Sequence, residues 1–237
     1  MTPTQLPLHI RLRDSSVFAS YYAGSNRASV DALAALRVNV PPTCIWLQGP
    51  RGTGKTHLLQ AACVMASERG ESGAYLPLRE LRELPSGAEL LAGYGQLDLV
   101  AIDDAELIAG QADWERALFR LHQELDEHGG HLLVSGSALA TTLGFKLRDL
   151  ASRLAGGQLL SLHALEEEEQ REALKLRAQL RGFELPDETV QLLQRRLPRD
   201  MASLCAFLDE LDQASLIAQR RLTVPFVREV LENRLKS

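Results

Sequence analysis

The chain has 237 residues, 45% of them hydrophobic and 24% charged, with a formal net charge of −5. This length accommodates one or two domains with a core large enough to fold unaided, and the composition is that of a soluble globular protein. The acidic balance argues against a protein that coats nucleic acid by bulk charge, while a local basic patch stays open.

The first 14 residues read as a tail. Pro3 and Pro7 interrupt it, no period is sustained, and the start lacks the basic and apolar regions of an export signal. No run approaches 18 unbroken apolar residues, so no membrane span is predicted. Residues 15–163 then alternate short apolar runs with helical patterns. The runs are Cys44-Ile45-Trp46-Leu47, Ala74-Tyr75-Leu76, Leu99-Val100-Ala101-Ile102, Leu132-Leu133-Val134 and Leu159-Leu160-Ser161-Leu162. They are short and almost wholly apolar, as strands buried on both faces should be, and the helical segments between them (His57 to Arg69, Trp114 to Glu127) predict a parallel sheet covered on both sides. From residue 164 to 237 only helical patterns remain. The acidic stretch Glu166–Glu169 suits a positive helix end. Asp187 after Pro186 predicts a capped second helix, and Met201, Leu204, Leu208 and Leu211 give a third helix one apolar stripe. Thr223, with Pro225 in the first turn, opens a fourth. The reading is therefore a tail (1–14), an α/β core (15–163) and an all-helical lid (164–237). Cys44, Cys63 and Cys205 share no metal spacing and read as buried free thiols of a reducing compartment, which predicts a cytoplasmic protein.

Chemistry concentrates at a few points. Gly49-Pro50-Arg51-Gly52-Thr53-Gly54-Lys55-Thr56 fits the pattern G-x-x-x-x-G-K-[ST] in full and lies between a predicted strand and a predicted helix. Glycines let the backbone turn so that successive N–H groups face a phosphate, and the helix N-terminus adds positive partial charge. Lys55 is expected to reach the β- and γ-phosphates, and the Thr56 hydroxyl to ligate Mg²⁺. The strand Leu99–Ile102 ends in Asp103 and Asp104. Asp103 is expected to hold Mg²⁺, and Asp104 to orient or deprotonate an attacking water. His57 follows the loop with no metal partner at useful spacing. Arg153 precedes the last predicted strand and Arg199 starts a lid helix. By composition alone both read as surface residues.

The segments Phe18-Ala19-Ser20, Gly24-Ser25-Asn26, Gly54-Lys55-Thr56-His57-Leu58-Leu59, Leu150-Ala151-Ser152-Arg153-Leu154, Leu180–Pro186 and Leu222–Val227, taken in order, resemble the DnaA-type AAA+ family. The similarity runs from Phe18 to the C-terminus and is greatest to the Hda-type branch, whose members switch the initiator off. The resemblance implies a five-stranded sheet of order 5-1-4-3-2. It implies that Arg153 is a finger aimed at nucleotide held by a neighbouring molecule, that Arg199 senses nucleotide in cis, and that Val17, Phe18 and Tyr22 lie by the adenine. Ser137, after Leu132–Gly136, stands where the subfamily usually carries an acidic sensor. A hydroxyl there can hydrogen-bond but brings no charge. Gln5-Leu6-Pro7-Leu8-His9-Ile10 resembles the peptide by which replication proteins bind the sliding clamp, with Gln5 as the polar anchor and Leu6, Leu8 and Ile10 as the apolar ones.

Together these imply a negative regulator of DNA replication initiation. It would carry ADP or ATP with Mg²⁺, bind the DNA polymerase III sliding clamp (beta subunit) loaded on DNA, and stimulate ATP hydrolysis by DnaA. Its own ATPase would be weak, its contact with DNA indirect or weak, and self-association open to it. The alternative is a self-sufficient ATPase such as a helicase- or clamp-loader-type subunit. A DNA-binding initiator would be expected to append a helix-turn-helix domain after the lid, whereas this sequence stops at Ser237.

Overall fold

Strands joined through a crossover helix run parallel in one sheet, because the helix returns the chain to the same end of the sheet. The computed structural model describes residues 16–37, 41, 43–198, 200–218 and 224–236, and shows this arrangement. The elements are α1 (Arg27–Ala34), β1 (Cys44–Gln48), α2 (Lys55–Glu68), β2 (Gly73–Pro77), α3 (Leu78–Leu81), α4 (Gly87–Leu90), β3 (Leu99–Asp103), α5 (Ala112–His128), β4 (His131–Gly136), α6 (Arg148–Gly156), β5 (Gln158–Ser161), α7 (Glu167–Leu180), α8 (Asp187–Arg196), α9 (Met201–Ala218) and α10 (Val224–Lys236). The sheet has five strands in the order β2-β3-β4-β1-β5, with parallel pairings throughout. This is the expected order read from the opposite edge.

Alternation along each strand sorts the core into two layers. Trp46, Val100, Ile102, Leu132 and Val134 face α5 and α6 and pack with Leu118, Leu121, Leu150 and Leu154. Ile45, Leu47, Leu99, Ala101 and Leu133 face α1 and α2 and pack with Leu33, Leu58, Leu59 and Ala62. Fully burying one such leucine contributes about 2 kcal/mol relative to leaving it exposed. Asp103 and Ser135 continue the α2-facing series of their strands, so the same alternation that builds the core delivers two polar side chains to the loop end of α2. Strand β5 lies at the sheet edge, and side chains blunt it. Asn26 donates to the His163 carbonyl (3.0 Å) and accepts from the His163 amide (2.7 Å), and the Ser29 hydroxyl donates to the Ser161 carbonyl at 2.9 Å.

Helices α7 to α10 share their own apolar cluster, built on Leu174, Val190, Leu193, Leu204, Phe207, Leu208, Leu211, Val227 and Leu231. The predicted stripe on α9 is buried at Leu204, Leu208 and Leu211. Glu166 and Glu169 form a capping box at the start of α7, with Glu169 accepting from the Glu166 amide at 3.0 Å. Asp187 does not cap α8 as predicted. Pro186 is the N-cap residue, and Asp187, the first helical residue, pairs with Lys175 at 2.7 Å. The predicted start of the last helix at Thr223 lies outside the described residues, and Pro225 is in the first turn of α10. Of the cysteines only Cys63 is fully buried, while Cys44 and Cys205 are half-buried. No helix among the described residues is long and apolar enough to cross a membrane.

Candidate nucleotide-binding site and arginine face

The loop Gly49–Thr56 joins β1 to α2. Gly54 sits at φ +89, a left-handed conformation that favours glycine, and directly starts α2. Gly49 meets a different constraint: a Cβ there would lie 2.7 Å from the Leu162 carbonyl oxygen. Thr53 closes the turn from within, its hydroxyl donating to the Pro50 carbonyl at 2.9 Å. Lys55 is buried, and its ammonium donates to the carbonyls of Gly49 (2.7 Å) and Pro50 (3.1 Å). The lysine thus stands inside the curve of the loop. The first turn of α2 supplies N–H groups that a helix cannot bond internally. Pro50 and Arg51 are exposed, and Gly52, at φ +86, is partly so.

Asp103, only 3% exposed, lies at the end of β3 beside this loop. Its Oδ2 accepts from the Thr56 hydroxyl at 2.7 Å and from the Tyr75 phenol at 2.8 Å, and its Oδ1 accepts from the Ser135 hydroxyl. Burial, followed by the charge of Asp103, pushes the Tyr75 phenol well above its ordinary range, so Tyr75 is protonated and donates. A threonine hydroxyl and a carboxylate in contact are hard oxygen donors of the type Mg²⁺ accepts when phosphates and water complete its shell. The residues therefore fit that ion. Asp104 leaves the strand at φ +61, its amide donating to the Ser135 hydroxyl at 3.0 Å and its carboxylate held by Arg79 at 3.1 Å. Its side chain is turned to an arginine rather than toward the loop. Ser137 lies just beyond β4 and is exposed, and the neighbouring Ala138 carbonyl is fixed by the indole N–H of Trp46 at 3.0 Å.

A 3-10 turn, Phe18–Ser20, lies against the start of α2. Phe18 is half-buried against the α2-side core, and Tyr21 touches the loop: its hydroxyl donates to the Thr53 carbonyl at 2.8 Å and its ring covers Gly54. His57 is more than packing. Arg177 of α7 donates to its Nδ1 at 2.9 Å. An arginine can only donate, so the ring proton resides on Nε2, which donates to the Val17 carbonyl at 2.9 Å. Burial and then the Arg177 charge lower the His57 pKa to about 4, so the ring is neutral at ordinary pH. Tyr21 and His57 rings lie 5.6 Å apart. One imidazole thus ties the lid to the N-terminal turn, immediately after the phosphate loop. A second lid contact is Glu169, which accepts from the Ser25 amide at 3.0 Å.

Arg153 lies elsewhere, on α6, exposed, with its guanidinium carbon 5.6 Å from the centre of the Phe119 ring on α5. It sits on the α5–α6 side of the sheet, whereas Arg177 meets His57 at the start of α2 on the other side. A groove of about 890 Å³ between α4 and α5 reaches the same Phe119 and is lined by Arg82, Trp114, Arg116 and Arg120. It takes no part in the phosphate loop.

Residues 167–231 match the family model for the lid domain of Hda. Over that lid the chain is similar to Hda, and its fold as a whole is that of AAA+ proteins such as DnaA. Domain III of the Thermotoga maritima replication initiation protein DnaA superposes with a TM-score of 0.74 at 18% identity, covering 93% of this chain and 97% of that one. AMPPCP-bound DnaA from Aquifex aeolicus gives 0.67 at 21% identity, covering 85% of this chain and 66% of that one, so this chain spans slightly under two thirds of that relative. The Thermotoga maritima RuvB Holliday junction branch migration motor gives 0.61 at 18% identity, covering 89% and 67%. These likenesses establish the AAA+ fold. Within it, the structure brings together Gly49–His57, Asp103 and the turn at Phe18, and sets Arg153 apart. Arg199, Gln5, Leu6, Leu8 and Ile10 lie outside the described residues. Sequence reasoning missed Tyr75, Ser135, Arg79, Tyr21 and Arg177 as neighbours of the site. Only Tyr75 and Ser135 carried a signal, as polar groups inside otherwise apolar strands.

Proposed function

We propose that this protein is a DnaA-related replication protein that restrains initiation by stimulating ATP hydrolysis on DnaA. The observation that carries the proposal is an exposed Arg153 on α6, set over Phe119 on the face of the sheet opposite α2. An arginine exposed on α6 and braced over Phe119 is available to a docked molecule, while Lys55 already serves the loop in cis. In this reading Gly49–Thr56, with His57 and Phe18 nearby, bind ADP or ATP, and Thr56 and Asp103 hold Mg²⁺, which neutralises phosphate charge when bound. Ser137 and Arg199 complete the nucleotide's surroundings. Arg153 presents its guanidinium to ATP held by DnaA and stabilises charge as it spreads over the transferred phosphoryl oxygens, an effect worth roughly 10³–10⁵ in rate. The tail, residues 1–14, tethers the protein through Gln5, Leu6, Leu8 and Ile10 to the sliding clamp on DNA. Core (15–163) and lid (164–237) together hold the nucleotide that sets the docking shape, and the protein acts in the cytoplasm. The tie between Asp104 and Arg79 favours weak hydrolysis by the protein itself over the self-sufficient ATPase reading, because it engages the Asp104 carboxylate with a side chain instead of a water.

The test is ATP hydrolysis by DnaA in the presence of clamp-loaded DNA, with wild-type protein, with Arg153→Ala, and with Gln5→Ala and Leu6→Ala combined. The expected outcome is loss of stimulation in the first variant, and in the second a loss that high protein concentration restores. Equal stimulation by wild type and Arg153→Ala defeats the finger. Undiminished clamp-dependent stimulation by the double variant removes the tail from the scheme.

A further inference from the structure

We infer that Tyr75 and Ser135 are positioning residues for Asp103, fixing both carboxylate oxygens so that a divalent cation can be held where Thr56 now donates. This rests on the proposed role of Asp103 in holding Mg²⁺. A buried carboxylate ordinarily has a cationic partner. Asp103 has none in salt-bridge contact among the described residues, and it is satisfied instead by hydroxyls from three elements: Thr56 on α2, Tyr75 on β2 and Ser135 on β4. Neutral donors stabilise the charge without cancelling it, which leaves it for a cation. A carboxylate offers about four lone-pair sites, and here three face hydroxyl protons.

The geometry follows from sheet register. Pairing of Ile102 with Val134 brings Asp103 level with Ser135, so a short side chain reaches Oδ1 from β4. On the other side Tyr75 pairs with Ala101, two residues before Asp103, and only a long side chain spans that diagonal to Oδ2. The two strands flanking β3 therefore grip the carboxylate from both sides, while the exposed Thr56 is the donor free to turn toward an ion. Ser135 does more than Tyr75: it also accepts from the Asp104 amide, and so fixes the strand exit as well as the carboxylate.

The experiment titrates Mg²⁺ into full-length protein with a fluorescent ADP analogue, and measures analogue binding separately in EDTA and thermal stability without nucleotide. Tyr75→Phe keeps the ring and removes only the donor. It is expected to raise the Mg²⁺ concentration at half-saturation by roughly tenfold or more, the usual effect of losing an outer-shell hydrogen bond, with analogue affinity in EDTA unchanged and the melting temperature lowered only by the lost hydrogen bond. Ser135→Ala is expected to do the same or more. An unchanged Mg²⁺ midpoint in both variants overturns the inference. So does an equal loss of analogue affinity with and without Mg²⁺, accompanied by a lower melting temperature, because that is the pattern of a merely structural contact. If wild-type binding of the analogue does not depend on Mg²⁺, the role of Asp103 falls and the positioning role falls with it. The Arg153 assay is unaffected by any of these outcomes, so the two readings fail separately.

Discussion

At the scale of single residues, burial decides what each polar or reactive group does. Cys44 and Cys63 illustrate this. Burial pushes both thiols up to about 12, with Asp126 adding to the effect at Cys44. The thiolate is the reactive form, so at pH 8 neither is populated as an ordinary exposed cysteine would be. Labelling of the native protein with a thiol reagent at pH 8 is expected to be slow at both positions and to become fast only in denaturant. Fast native labelling of Cys63 would show that the α2 face opens. His57 follows the same logic from the other side. The sequence offered a histidine without a partner, and the fold gave it an arginine donor on one nitrogen and a carbonyl acceptor on the other.

At the scale of elements, a buried carboxylate again organises the region around Arg153. Glu115 of α5, 1% exposed, accepts from the amides of Gly110, Lys146 and Leu147. It therefore closes the turn before α5 and fixes the residues that launch α6, the helix that carries Arg153. Glu115→Ala would leave these amides without their acceptor, at a cost of roughly 3 kcal/mol. In a chain of this size that corresponds to a melting temperature lower by roughly 6–12 °C. Glu115→Gln keeps a carbonyl acceptor and should lose clearly less. Urea denaturation of both variants, with hydrogen exchange read at residues 146–156, checks the cost and its location. If Glu115→Ala were as stable as wild type, the turn before α6 would be held by something other than this side chain.

At the scale of the whole molecule, the lid cluster is separate from the two layers on the sheet, so what joins them matters. Arg177 to His57 and Glu169 to Ser25 are polar links between lid and core. Arg177 is not among the residues of the lid cluster, and Arg177→Ala should leave α7 folded while weakening its attachment. Loss of a charge-assisted hydrogen bond, about 1.5 kcal/mol, predicts roughly tenfold weaker nucleotide binding if lid position and nucleotide are coupled. Faster hydrogen exchange at residues 17–20 should accompany it. Unchanged affinity together with unchanged exchange would mean that the lid is held by its other contacts.

The sequence by itself determined the strands, the loop and the helical lid, because these depend on local pattern. Apolar runs of strand length, a glycine and lysine spacing, and a change to helical period near residue 164 are each visible within a dozen residues. It also gave Asp103, since an acid at the end of an apolar strand stands out against its neighbours. Tertiary structure decided which hydroxyls grip that acid, which arginine ties Asp104, and that Tyr21 covers the loop. Those choices depend on strand register and on helices brought together from distant sequence, as when Arg177 of α7 meets His57 of α2. Hydrogen bonds are formed between neighbours in space, and a linear pattern records only neighbours in the chain.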